Sequence, residues 1–210
     1  MKRISIALSF ALILSMALTR QAAAALPLQL LNPYAAVREP ISYVTTGKHD
    51  EAWNGYGIDV ATTSANPSAV YWDGYFSDGS NAVVNVTEIG TWRLYSAAGC
   101  NEANYVLTQY HVQMKHVYPD GAVAQIEYWH LDTPSVSLGQ NLNSGAYVGI
   151  ESNAPGYNLY YCTGKLASQG RHLHVQVYAS WGKPTCYVST NDCYSTTPNR
   201  WPTGTWEWTH

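Results

Sequence analysis

The chain reads as an all-β, antiparallel domain, a β-sandwich or half-open barrel. Short runs of alternating apolar and polar residues recur along it, the period of a half-buried strand. Turn residues punctuate these runs, and Tyr118-Pro119-Asp120-Gly121 joins the two longest. No stretch keeps helical spacing for as many as three turns.

The amino terminus predicts export. Lys2 and Arg3 precede the apolar run Ile4 to Leu18, and small residues follow at Ala22 to Ala25, the pattern of a secretory signal peptide over residues 1–25. That run is shorter than the roughly 20 residues a membrane span needs. Residues 26–210 are then expected to form a single domain without a membrane span, secreted to the extracellular space or periplasm. Without the leader, 8 of the 11 basic residues remain against 14 acidic ones, a net charge of −6. This argues against a nucleic-acid surface. The 8 Trp and 17 Tyr suit strands, and they also suit a groove that takes a peptide or a sugar.

Strands are predicted at Ile41–Thr45, Gly57–Thr62, Ala69–Trp72, Ala82–Thr87 and Thr91–Ser96. The long hairpin arms Asn104–Val117 and Ala122–Leu131 follow, then Ala146–Ile150, Tyr157–Tyr161 and His172–Tyr178. Alternation would put Ile126, Tyr128 and His130 on one face of their arm, with Glu127, Trp129 and Leu131 on the other. In the last strand, Leu173, Val175 and Val177 would face the core, and His172, His174, Gln176 and Tyr178 the opposite side. Two imidazoles on one open face can divide labour, one holding a metal and the other a proton. Two surface histidines on an ordinary strand would read the same way.

Four cysteines in an exported chain favour two disulfides. Cys186 and Cys193 bracket a short polar loop and make the local pair, which leaves Cys100 with Cys162. Upstream, His49 lies in a glycine-flanked segment predicted to be a loop, and Asp59 sits within an apolar strand. A carboxylate there needs a hydrogen bond, a cation or a metal, with Arg93 and Arg171 as the simple partners. His111 and His116 fall on opposite faces of one arm and read as scaffold histidines. His210 is the last residue.

Three blocks together resemble the lysostaphin-type zinc metallopeptidases. They are Gly57-Ile58-Asp59, then Tyr128-Trp129-His130-Leu131 with the spaced glycines Gly139, Gly145 and Gly149, then His172-Leu173-His174. The resemblance spans roughly Val44 to Tyr178. In the common form of the first motif a histidine stands four residues before the aspartate, and here that position is Gly55. The arrangement Gly47-Lys48-His49 upstream of Asp59, and Cys162-Thr163-Gly164 ahead of Gly170-Arg171-His172, is most similar to the beta-lytic branch. The interval from His49 to Asp59 is shorter than in that branch, and Arg171 stands where the family often has proline.

The resemblance implies a half-open barrel of the duplicated hybrid motif type. It also implies Zn2+ held by His49, Asp59 and His174, with an open position for water. His172 and His130 would act on that water or on the tetrahedral intermediate. The implied activity is a zinc metalloendopeptidase, acting as a monomer on glycine-containing peptidoglycan cross-links or another glycine-rich peptide. Gly55 favours the alternative, a catalytically inactive relative that binds cell-wall peptide or glycan or regulates another hydrolase. A disulfide-stapled, lectin-like sandwich with incidental histidines is the third reading.

Overall fold

A computed structural model describes residues 26, 28–30, 33–34, 42–49, 55–62, 64–180, 185–187 and 205–208, with only the backbone path for 29, 42–49, 55–56, 58, 185–187 and 205–208. The leader, Cys193 and His210 lie outside the described residues.

The expected all-β architecture is observed. Strands are β1 Leu28–Leu30, β2 Ser42–His49, β3 Gly55–Thr62, β4 Ala69–Trp72, β5 Gly74–Phe76, β6 Val83–Tyr95, β7 Tyr105–Val117 and β8 Val123–Pro134. They continue as β9 Asn141–Asn143, β10 Ala146–Glu151, β11 Asn158–Tyr160, β12 Leu166–Gln169, β13 Leu173–Ala179, β14 Thr185–Tyr187 and β15 Thr205–Trp208. A single 3-10 turn, Glu102–Asn104, is the helical structure among the described residues, and no helix there is long and apolar enough to cross a membrane.

The large sheet runs β12-β11-β6-β7-β8-β13-β3-β2, with β10 on β8 and β4, and β9 on β6. It is antiparallel and curled into a half-barrel. A small second sheet runs β14-β15-β1-β5. The β7–β8 hairpin closes through the predicted Pro-Asp-Gly turn. There Gly121, at φ 88°, donates to the Tyr118 carbonyl at 2.9 Å, and Asp120 Oδ1 accepts from Ala122 N at 3.0 Å.

The core lies on one face of the curled sheet. Leu173, Val175 and Val177 are fully buried with Val112, Met114, Ile126 and Tyr128, covered by Trp72, Val70 and Val148 from β4 and β10. Burying each of the three β13 side chains stabilises the fold by about 1.5–3 kcal/mol. A one-residue slip would exchange them for His174, Gln176 and Tyr178, or for His172, His174 and Gln176, so the register of β13 is strongly specified.

Two elements differ from the sequence expectation. Ala82–Thr87 and Thr91–Ser96 merge into the single strand β6, with a register shift between Val86 and Glu88. Gly90 does not break it, because its missing side chain makes room for a ring: a Cβ there would lie 2.1 Å from His111 Cε1. His49, predicted in a loop, is instead the last residue of β2. A register shift between Thr46 and His49 absorbs the glycine between them and keeps the strand paired. The disulfide Cys100–Cys162 is formed. Cys186–Cys193 lies outside the described residues, so one disulfide is seen among them, not two.

Candidate active site

The face opposite the core carries the polar side chains of β13, β8, β7 and β3. His174 on β13 pairs in register with Asp59 on β3 and with Trp129 on β8. Strand alternation therefore delivers His172, His174 and Gln176 to the same cleft, as the sequence predicts. That cleft has a volume of about 1020 Å³ and is walled by Trp92, Trp129, Tyr95 and Tyr161.

Asp59 is the hub. Its Oδ1 accepts a hydrogen bond from His174 Nδ1 at 2.8 Å and lies 3.7 Å from His172 Nε2. Neither suggested arginine takes it. Arg93 makes a bidentate pair with Glu102 at 2.6 and 2.5 Å, while Arg171 Nε lies 3.6 Å from the fully buried Glu151 carboxylate. Arg171 also donates to the Ser64 carbonyl, so both its contacts anchor the residue directly before His172.

The tautomers follow from the partners. His174 gives its Nδ1 proton to a carboxylate, which leaves Nε2 as its basic nitrogen. His172 Nδ1 lies 3.2 Å from the Gly170 carbonyl, which can only accept, so the proton sits on Nδ1. His172 Nε2 then turns its lone pair toward Asp59 Oδ1. Two lone pairs facing each other at 3.7 Å call for a proton or a cation between them.

His130 arrives by a different route. Strand pairing sets Tyr110 opposite Leu131 and Val112 opposite Tyr128, so Trp129 and His130 together oppose His111. This β-bulge corrects the predicted face assignment. Tyr128 and Leu131 both enter the core, and Trp129 and His130 both line the cleft. His130 is the one non-glycine residue at positive φ among the described residues, at 65°. Its ring meets His172 edge to face at 4.6 Å and lies 6.3 Å from His174.

The structure thus brings together Asp59, His130, His172 and His174. The His49 side chain lies outside the described residues. Its backbone is opposite Gly57, two residues along β3 from Asp59, the partner of Thr46. Among the described residues no group of three or more His, Cys, Asp or Glu side chains is disposed to hold a metal. The donor types nevertheless fit zinc: imidazole nitrogens and a carboxylate oxygen. The 2.8 Å between His174 Nδ1 and Asp59 Oδ1 is a hydrogen bond, shorter than the roughly 3.3 Å edge of a tetrahedron with bonds of about 2.0 Å. The 3.7 Å between His172 Nε2 and Asp59 Oδ1 is closer to that edge.

Sequence reasoning missed several neighbours. Gln109 Oε1 lies 2.7 Å from His130 Nδ1. His111 is buried on the cleft side of β7, with its ring centroid 4.6 Å from Trp92 and 4.9 Å from Trp129. Glu127 Oε2 accepts from the Trp129 indole at 2.8 Å, and its Oε1 accepts from Gln113 and Gln125. Same-face alternation with Gln109 and Gln113 was the available signal for His111, but the pairing of β6, β7 and β8 was needed to use it. His116 points elsewhere, donating to the Val83 carbonyl at 2.8 Å.

No protein-family model and no curated protein matches the chain. Solved structures similar to the chain at low identity include the following two. One is the M23 metalloprotease pseudoalterin from the deep sea, 13% identical over 80% of this chain and 86% of that one, with a TM-score of 0.42. The other is a zinc-containing peptidase from Vibrio cholerae, 16% identical over 59% of this chain and 46% of that one, with a TM-score of 0.23. Neither singles out the beta-lytic branch. At such distance they carry no weight for the site, and the chemistry has to be argued from the four converging side chains.

Proposed function

We propose that the chain is a secreted zinc endopeptidase that hydrolyses glycine-containing peptides, with peptidoglycan cross-links as the substrate class. The convergence of His172, His174 and His130 with Asp59 at one cleft is the observation that supports this most. His174 and Asp59, giving up the proton they share, would hold the metal together with His49, and a bound zinc ion would supply Lewis-acid polarisation and an activated water.

The protein's own groups do the rest. His172, with Nδ1 anchored on Gly170, keeps a basic Nε2 beside Asp59 and can take a proton from water. His130 stands edge-on to His172 and can share that role, taking a proton from water and passing the same proton on to the leaving amine. Glycine presents no side chain for the aromatic walls of the cleft to exclude.

Chain purified without chelator and offered zinc should hold about one zinc, since the proposed ligands form a single site. It should then cleave a glycine oligomer and lose that activity to a chelator. A second reading, the inactive peptide-binding relative, is favoured by Gly55 in place of the family's histidine. Metal analysis finding no zinc, alongside measurable binding of the same peptide, would establish that reading instead.

A further inference from the structure

We propose that Gln109 is a positioning residue that holds His130 in the tautomer with the proton on Nδ1 and the lone pair on Nε2. The consequence for turnover rests on the hydrolytic reading above, whereas the tautomer does not.

Gln109 is 2% exposed and His130 9%, so their hydrogen bond of 2.7 Å lies away from competing water. Gln109 Oε1 is an acceptor, which requires the proton on His130 Nδ1. The other end of the amide does nothing comparable: Gln109 Nε2 is buried and has no hydrogen-bond partner among the described residues. A buried unsatisfied donor costs about 1–3 kcal/mol. Leucine or methionine would fill the same space without that cost. Stability alone therefore gives no reason for glutamine here, and its one polar contact is with a cleft histidine.

The backbone argues in the same direction. Gln109 lies directly across from Trp92 on β6, one alternation from His111, beside the bulge that turns His130 out of the core. The bulge sets where the ring stands, and its positive φ is uncommon for a residue with a side chain. Without a fixed partner at Nδ1, the imidazole would choose its tautomer by whatever water or substrate it met. With Gln109, Nε2 is the nitrogen prepared to accept a proton.

Two variants of the full chain test this with isotope-labelled histidine. Gln109→Leu removes the acceptor, and Gln109→Glu keeps one. Ring-nitrogen NMR at a pH where imidazoles are neutral reads the tautomer, and His130→Phe identifies the His130 signals. Wild type and Gln109→Glu are expected to show the proton on Nδ1, and Gln109→Leu to lose that preference. Gln109→Met serves the same purpose should the leucine variant not fold. Wild type with the proton on Nε2, or a leucine or methionine variant indistinguishable from wild type, overturns the assignment. On zinc-loaded protein, kcat should fall on the order of 10- to 100-fold in Gln109→Leu with KM unchanged. An unchanged kcat overturns the positioning role. A wild type with no peptidase activity refutes the hydrolytic reading, and the NMR result then decides the tautomer alone.

Discussion

His172 and His174 share a face and a carboxylate, but they face Asp59 through different atoms. His174 donates Nδ1–H to it at 2.8 Å, and His172 presents Nε2 at 3.7 Å. That asymmetry gives the two residues separable roles. His172→Ala should lower turnover by about 10²–10⁴-fold, the usual worth of a positioned acid or base, while zinc stays bound. His174→Ala should lose both. Zinc lost from His172→Ala and kept by His174→Ala would mean the roles are exchanged, and metal analysis on the two proteins decides it.

At the scale of the element, β8 shows how one extra residue redirects a strand. Regular alternation would have sent His130 into the core with Tyr128. The bulge instead keeps Tyr128 and Leu131 buried and puts Trp129 and His130 side by side in the cleft. The cost is a left-handed backbone at His130, about 1–2 kcal/mol for a residue with a Cβ and higher again for a β-branched one. His130→Gly should therefore melt higher than His130→Val by an amount corresponding to about 1–2 kcal/mol, although both should lose activity. Equal melting temperatures would mean that the bulge carries no strain at this position. The sequence did not reveal the bulge because alternation assumes regular pairing, and the bulge exists only relative to β7.

For the molecule as a whole, the loop that presents His172 is tied to the end of β10, which pairs with β8 at Leu131 beside His130. Arg171 reaches the fully buried Glu151 carboxylate at the end of β10, and that carboxylate also accepts from Ser68 N at 3.2 Å. Arg171→Met should destabilise by about 3–5 kcal/mol by removing the guanidinium from beside a buried charge, measured by denaturant unfolding. Loss of less than about 1 kcal/mol would mark the pair as a surface-like one. The core sets the alkaline limit. Burial pushes the Tyr118 phenol up to about 12 and raises Tyr34 and Tyr128 as well. A group with a raised folded pKa stabilises fully below its unfolded value, near 10, and that contribution is lost as pH rises through the folded value. The melting temperature should hold up to about pH 10 and fall steeply toward pH 12, and Tyr118→Phe should fall less. A flat profile across that window would contradict the burial of these phenols.

Local information was enough for the strand class, the Pro-Asp-Gly hairpin and the shared face of His172 and His174. Each depends on alternation or turn chemistry within a few residues. The Cys100–Cys162 pair was also foreseen, by assigning the other two cysteines to a short loop. Three things needed the tertiary structure: the meeting of Asp59 with His174, the rotation of His130 into the cleft, and Gln109 behind it. Asp59 and His174 are 115 residues apart, and only the pairing of β3 with β13 makes them neighbours. The type of chemistry was therefore written in residue identities along the chain, whereas its geometry was decided by strand register, which no single strand contains.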